Sequence, residues 1–184
     1  MALKADRHEL QTDISFFMNE VAARGGVASL DASTLGNLNG VGSSGAAMDQ
    51  SQALVKYVAT RSAASAGSGI VPVGILLNDM VNLDLTRQHI NWHKDEVQKG
   101  GKVTLLKKGW VVTDKIYPGH SPKAGDIAFV GHSGLIATSM VIADQSDLSG
   151  EGFVVGRFMS KKDEDGYAKV EVNLPNNNNP ADQA

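Results

Sequence analysis

The chain has 184 residues, no cysteine and a formal net charge of −3, with both signs of charge interspersed along it. Without cysteine there are no disulfides, thiolate nucleophiles or Cys-ligated zinc. The charge pattern offers no basic footprint for nucleic acid, and no apolar run reaches the roughly 20 residues of a membrane span. A domain of roughly 150 residues buries about two-thirds of its unfolded surface, so this length suffices for one core with appendages.

The opening MALKADRHELQTD is charged and lacks the apolar centre of a signal peptide, so the chain is expected to be made and kept in the cytoplasm. Leu10, Ile14, Phe17 and Val21 follow at spacings of three and four, compatible with a short helix begun near Thr12 or Asp13 and ended by Gly25-Gly26. Phe16 and Met18 lie beside that stripe, so the segment is apolar over more than one face. It reads either as a helix packed on its own domain or as an arm that buries Phe16 and Phe17 against another protein. Residues 31–52, rich in Gly, Ser, Ala and Asn, read as a flexible connection, and the composition changes near Asp49.

From there the pattern is β. ALVKYVAT (53–60) alternates as a strand, with Val55 and Tyr57 on one face. ATRSAASAGSG is a loop. IVPVGILLNDMVNLDL (70–85) resumes the apolar pattern: Pro72 restricts its strand to an edge or a strand start, and Asn78-Asp79 is placed as its turn. Residues 86–101, TRQHINWHKDEVQKGG, are read either as a helix capped by Thr86 or as an extended excursion over the barrel. Three strands follow in VTLLKKGWVV, DIAFVG and GLIATSMV. Period-two spacing places Val103, Leu105 and Val111 on one face, and Ile127 with Phe129 on one face. Pro118-Gly119, Ser121-Pro122 and Ala124-Gly125-Asp126 supply the turns. FVVGRFMS forms a strand, KKDEDG a charged turn, and YAKVEVNL a closing strand with Ala168, Val170, Val172 and Leu174 on the buried side. Short strands between regular turn signals predict a mainly β fold, a small antiparallel β-barrel or sandwich with an N-terminal arm. The chain divides into arm and connection (1–48), barrel (49–174) and a polar tail, PNNNNPADQA (175–184), expected to be disordered.

Chemical motifs are sparse. Gly131-His132-Ser133-Gly134 resembles a nucleophile elbow, but Leu135 stands where the second glycine belongs and no helical pattern follows, so a turn between antiparallel strands explains it better. His89 and His93 are four apart, as in zinc proteases, yet Ile90 occupies the position of the catalytic glutamate. Both histidines and Trp92 fit an interface better. Asp163, Glu164 and Asp165 read as a solvated turn, and Asp79, Asp84 and Asp126 are scattered. No P-loop is present, because Gly42–Gly45 lacks the following Lys-Ser/Thr. No catalytic, cofactor-binding or metal-ligating residue is assigned, and no cofactor is expected.

The order of segments carries more information. Lys123–Asp126 (KAGD) precedes a strand, Gly134–Ile136 (GLI) follows it, Val155–Phe158 (VGRF) leads on, and Val170–Leu174 ends the pattern. Over about residues 70–174 this resembles the small β-barrel head decoration (cement) proteins of tailed bacteriophages. The resemblance implies a non-enzymatic accessory protein, typically trimeric, bound through the major capsid protein to the outside of the virion head, with no nucleic-acid or membrane partner. Two competitors are a head-fibre or tail module that contacts host glycans, and an enzyme using Ser133 with His132 or His120. The first calls for exposed aromatics among Trp92, Trp110, Tyr117 and Tyr167. The second calls for an orienting group and an oxyanion hole.

Overall fold

The computed structural model describes residues 3–4, 6–30, 53–57, 72–79, 96–97, 102–142, 145–148 and 153–174. The fold is mainly β, a nearly closed antiparallel barrel-like sheet, as the alternation and turn chemistry predict. Its strands are β1 (His8–Met18), β2 (Ala22–Ala23), β3 (Val27–Leu30), β4 (Ala53–Tyr57), β5 (Pro72–Asp79), β6 (Glu96–Val97) and β7 (Lys102–Thr113). There follow β8 (Ile127–Val130), β9 (Ile136–Ala137), β10 (Met140–Ile142), β11 (Gln145–Leu148), β12 (Val154–Phe158) and β13 (Ala168–Asn173).

β7 is the strand on which the others converge. β1 runs antiparallel along it from His8↔Trp110 to Phe17↔Lys102. β5 pairs with its first half (Leu76↔Leu105) and β13 with its second half (Val170↔Val111). Because β1 also pairs in parallel with β4, the strands β1, β4, β3, β5 and β7 close into a ring. From β13 the sheet continues through β12 and β8 to β9. β9 returns to the chain just beyond β7 through the parallel bridge Ile116↔Ile136, flanked by Tyr117 N–H donating to the Ile136 carbonyl at 2.8 Å.

Two cores result, and they share a wall. Met18, Ala28, Val55, Leu76, Val103 and Leu105 pack together in the first ring. Val111, Val130, Ile136, Val155, Phe158, Val170 and Val172 form the second core, joined by Val27, Ile75, Leu77 and Leu106. Neighbours along β3 (Val27, Ala28), β5 (Leu76, Leu77) and β7 (Leu105, Leu106) therefore serve opposite cores, since successive strand residues point to opposite faces. Strands buried on both sides read as continuous apolar runs, which is what ILL and LL are. Val111 shares the parity of Leu105 but enters the second core, beyond Gly109, whose φ is +137°.

Several sequence expectations are corrected. The segment expected to be helical is strand as far as Met18, and residues 8–30 supply β1 and β3 to the main sheet, where an arm was expected, and β2 to a small sheet with β6. Of the expected apolar stripe, Leu10, Ile14 and Val21 are exposed, while Met18 beside it is fully buried. Register shifts next to Leu10 and at Ile14–Ser15 turn those side chains outward, the ordinary effect of a β-bulge. Asn78 and Asp79 do not turn the chain but continue β5 opposite Thr104 and Val103. In β8 the inward residues are Ala128 and Val130, with Ile127 exposed. GLIATSMV is two strands, β9 and β10, separated by a bend at Thr138-Ser139. Pro72 begins β5, and Ala168, Val170, Val172 and Leu174 are buried, both as expected. Residues 31–52, 86–95 and the tail 175–184 lie outside the described residues.

Candidate interaction surface

The outward face of the second half of the sheet presents one row across five strands. Cross-strand partners run His8↔Trp110, Trp110↔Glu171, Glu171↔Arg157 and Arg157↔Ile127. Directly opposed residues share a face, so these five side chains stand side by side, opposite the buried Val170 and Val172. Trp110 is covered. The His8 ring stacks on it at 4.6 Å between centroids, and the Lys169 ammonium lies 4.6 Å from its centroid. Lys169 also pairs with Asp6 at 3.5 Å.

The segment before β1 runs along β7 as a strap. Leu3 bridges Thr113, and the Lys4 N–H donates to the Val112 carbonyl at 3.0 Å. The Lys4 ammonium meets Asp163 and lies 4.4 Å from the centre of the Tyr167 ring. Asp163 is held below its ordinary range first by that ammonium and then by the Tyr167 amide; its other oxygen accepts from the Asp165 and Tyr167 N–H groups. The carboxylates of the KKDEDG turn thus shape the turn, and Gly166 with φ +86° completes it.

The other end of the row carries two of the four segments that sequence alone set apart. Lys123–Asp126 is a tight turn: the Asp126 N–H donates to the Lys123 carbonyl at 3.1 Å, the Lys123 N–H donates to Asp126 Oδ2 at 2.8 Å, and Gly125 has φ +97°. Val155–Phe158 lies against it. Gly125 N–H donates to the Phe158 carbonyl at 2.7 Å, Phe158 N–H to the Asp126 carbonyl at 2.9 Å, and Arg157 Nη1 to the Gly125 carbonyl at 3.1 Å. Exposed Ile127 and Met159 flank this junction.

Ser133 is exposed in a 3-10 turn (His132–Gly134) between β8 and β9, with φ 53°. No helix follows, since Leu135 is extended and the chain enters β9. His132 is buried and its ring lies 6.0 Å from that of Tyr117. His120 Nδ1 receives the Thr138 N–H at 3.1 Å and lies 2.9 Å from the Thr138 hydroxyl. A backbone N–H only donates, so the neutral imidazole carries its proton on Nε2. His89, His93 and Trp92 lie outside the described residues. Among the described residues no group of three or more His, Asp or Glu side chains is placed to hold a metal.

Two contacts escaped sequence reasoning: the His8–Trp110–Lys169 stack and the Asp13–Lys107 ion pair at 2.6 Å, which is four-fifths buried. Both join residues far apart in the chain, beyond the reach of any local pattern. No protein-family model matches the sequence, and no match is found among curated proteins.

Proposed function

We propose that this protein is a non-enzymatic decoration protein of a tailed-bacteriophage head, attached outside the assembled shell through the major capsid protein and acting as a trimer. The observation that carries this reading is the junction just described. KAGD and VGRF, two of the four segments that carry the sequence resemblance, are separated by about 30 residues yet interlock through three hydrogen bonds, so these two form one structural unit. The row beside them stacks His8 on Trp110, with Lys169 over the same ring and paired with Asp6, an arrangement suited to contact more than to turnover. A module that stacks host sugars calls for open aromatic faces, whereas Trp110 is covered by His8 and Lys169, and Tyr167 by Lys4.

The test is co-sedimentation with expanded, undecorated heads. The protein is expected to pellet with them in saturable, stoichiometric amounts and to raise the temperature at which they burst. Heads that sediment alone at micromolar protein would overturn the assignment. Light scattering is expected to give three chains per particle; a strict monomer would remove the preformed trimer and leave attachment to be decided by sedimentation.

A further inference from the structure

We propose that His120 is an acid-released latch joining the turn after β7 to the root of the β10–β11 hairpin. His120 closes the Pro118-Gly119 turn, where its N–H donates to the Tyr117 carbonyl at 3.2 Å. Thr138 is the first residue beyond β9, at the bend leading into β10, and β10 pairs with β11 through Met140↔Leu148 and Ile142↔Gln145. The side-chain bond that ties these two segments together ends on Nδ1 of a titratable ring.

The direction follows from the chemistry. Neutral imidazole offers one lone pair, and here the Thr138 N–H occupies it. A second proton on the ring goes to Nδ1, which then becomes a donor aimed at a donor. The Thr138 hydroxyl, 2.9 Å away, can reverse its role and accept from the new N–H, but the backbone N–H cannot reverse. Acid therefore costs the latch the backbone bond from Thr138. The elements packed around the ring carry Tyr117, edge-on at 5.2 Å, and His132 beyond the Tyr117 ring. Asp114 and Lys115, on the segment that bridges to β9, pair with each other at 3.7 Å. Release would loosen the chain from Thr138 into β10, at the end of the sheet where β9 contributes only two residues. The inference does not depend on the capsid reading.

The test follows the full chain by NMR from about pH 8 to pH 5, with ring ¹⁵N shifts reporting the protons on His120 and hydrogen exchange reporting Thr138 and the hairpin. At the alkaline end Nδ1 should show the shift of a bare nitrogen. As the second proton arrives, Thr138 protection, corrected for intrinsic exchange, should fall about tenfold or more. His120→Asn sets a non-titrating carbonyl oxygen near the place of Nδ1 and should hold Thr138 protected throughout. Thr138→Val keeps the backbone donor but removes the fallback acceptor, so release should move to higher pH. A proton on Nδ1 at neutral pH, or unchanged Thr138 protection once both nitrogens are protonated, would overturn the latch. So would a His120→Asn chain that loses protection at the same pH as the parent. If that variant does not fold, the parent titration and the Thr138→Val shift decide.

Discussion

At the scale of single residues, the fold depends on places where no side chain fits and on one largely buried ion pair. A Cβ at Gly109 would lie 2.0 Å from the His8 carbonyl oxygen, and its φ of +137° already disfavours any L side chain. Because the obstacle is the backbone of β1, it cannot be relieved by turning a rotamer. Gly109→Ala is expected to destabilise the protein by roughly 2–4 kcal/mol, read as a lower urea midpoint at unchanged m. A midpoint within error of the parent would mean that β1 does not cross β7 so closely. At Asp13, burial acts to raise the pKa, but hydrogen bonds from Lys107 and Ser15 outweigh it and bring the carboxyl down from 3.8 to about 2. The folded pKa lies below the unfolded one, so the pair's stabilisation is present above about pH 4 and is lost as pH falls toward 2. It amounts to roughly 2 kcal/mol. Asp13→Asn should lower stability at neutral pH and flatten the stability curve between pH 4 and 2. A variant whose acid limb matches the parent's would show that other carboxylates set that limb.

At the scale of elements, legibility followed locality. β13 was readable because its alternation, Ala168 to Leu174, is inward on one face and solvated on the other, and nothing interrupts it. β8 was readable in place but not in face, since Ile127 and Phe129 are larger than Ala128 and Val130, yet the smaller pair goes inward. β1 misled most. Bulges break its period of two, so its apolar residues fell at three-and-four spacings that mimic a helix. The candidate surface was legible in part. KAGD and VGRF stood out as motifs, but their interlock and the covering of Trp110 depend on cross-strand register, which no window of sequence contains. One consequence is testable at this scale. Leu10, at 70% exposure, makes little contribution to either core, so Leu10→Ser should change stability by no more than about 0.5 kcal/mol. A larger loss on thermal melting would mean that the bulge itself is held by that side chain.

For the whole molecule, the decisive feature is the wall shared by two cores. Residues of β3, β5 and β7 face both ways, so neither half owns its own boundary. A cut placed to remove the N-terminal segment alone therefore opens both. A chain beginning near Asp49 would lack β1, β2 and β3. The first core would lose Met18 and Ala28, the second would lose Val27, and Val55, Leu76, Val103 and Leu105 would be bared where the ring no longer closes. Each large side chain so exposed costs about 1.5–3 kcal/mol, and the sum is comparable to the roughly 5–15 kcal/mol that holds a typical domain together. Such a chain is expected to aggregate or to melt without cooperativity. One beginning at Asp6, which loses only the Leu3–Lys4 strap, should keep a single sharp transition at a lower temperature. Circular dichroism melts of the two chains beside the parent would decide. If the chain from Asp49 melted as cooperatively as the parent and within a few degrees of it, the shared wall would not be what unites the molecule. Any loss of the proposed binding to phage heads could then be assigned to residues 1–30 as an attachment element. If it does not fold, attachment has to be mapped with surface substitutions such as Leu10→Ser and Arg157→Ser on the intact sheet.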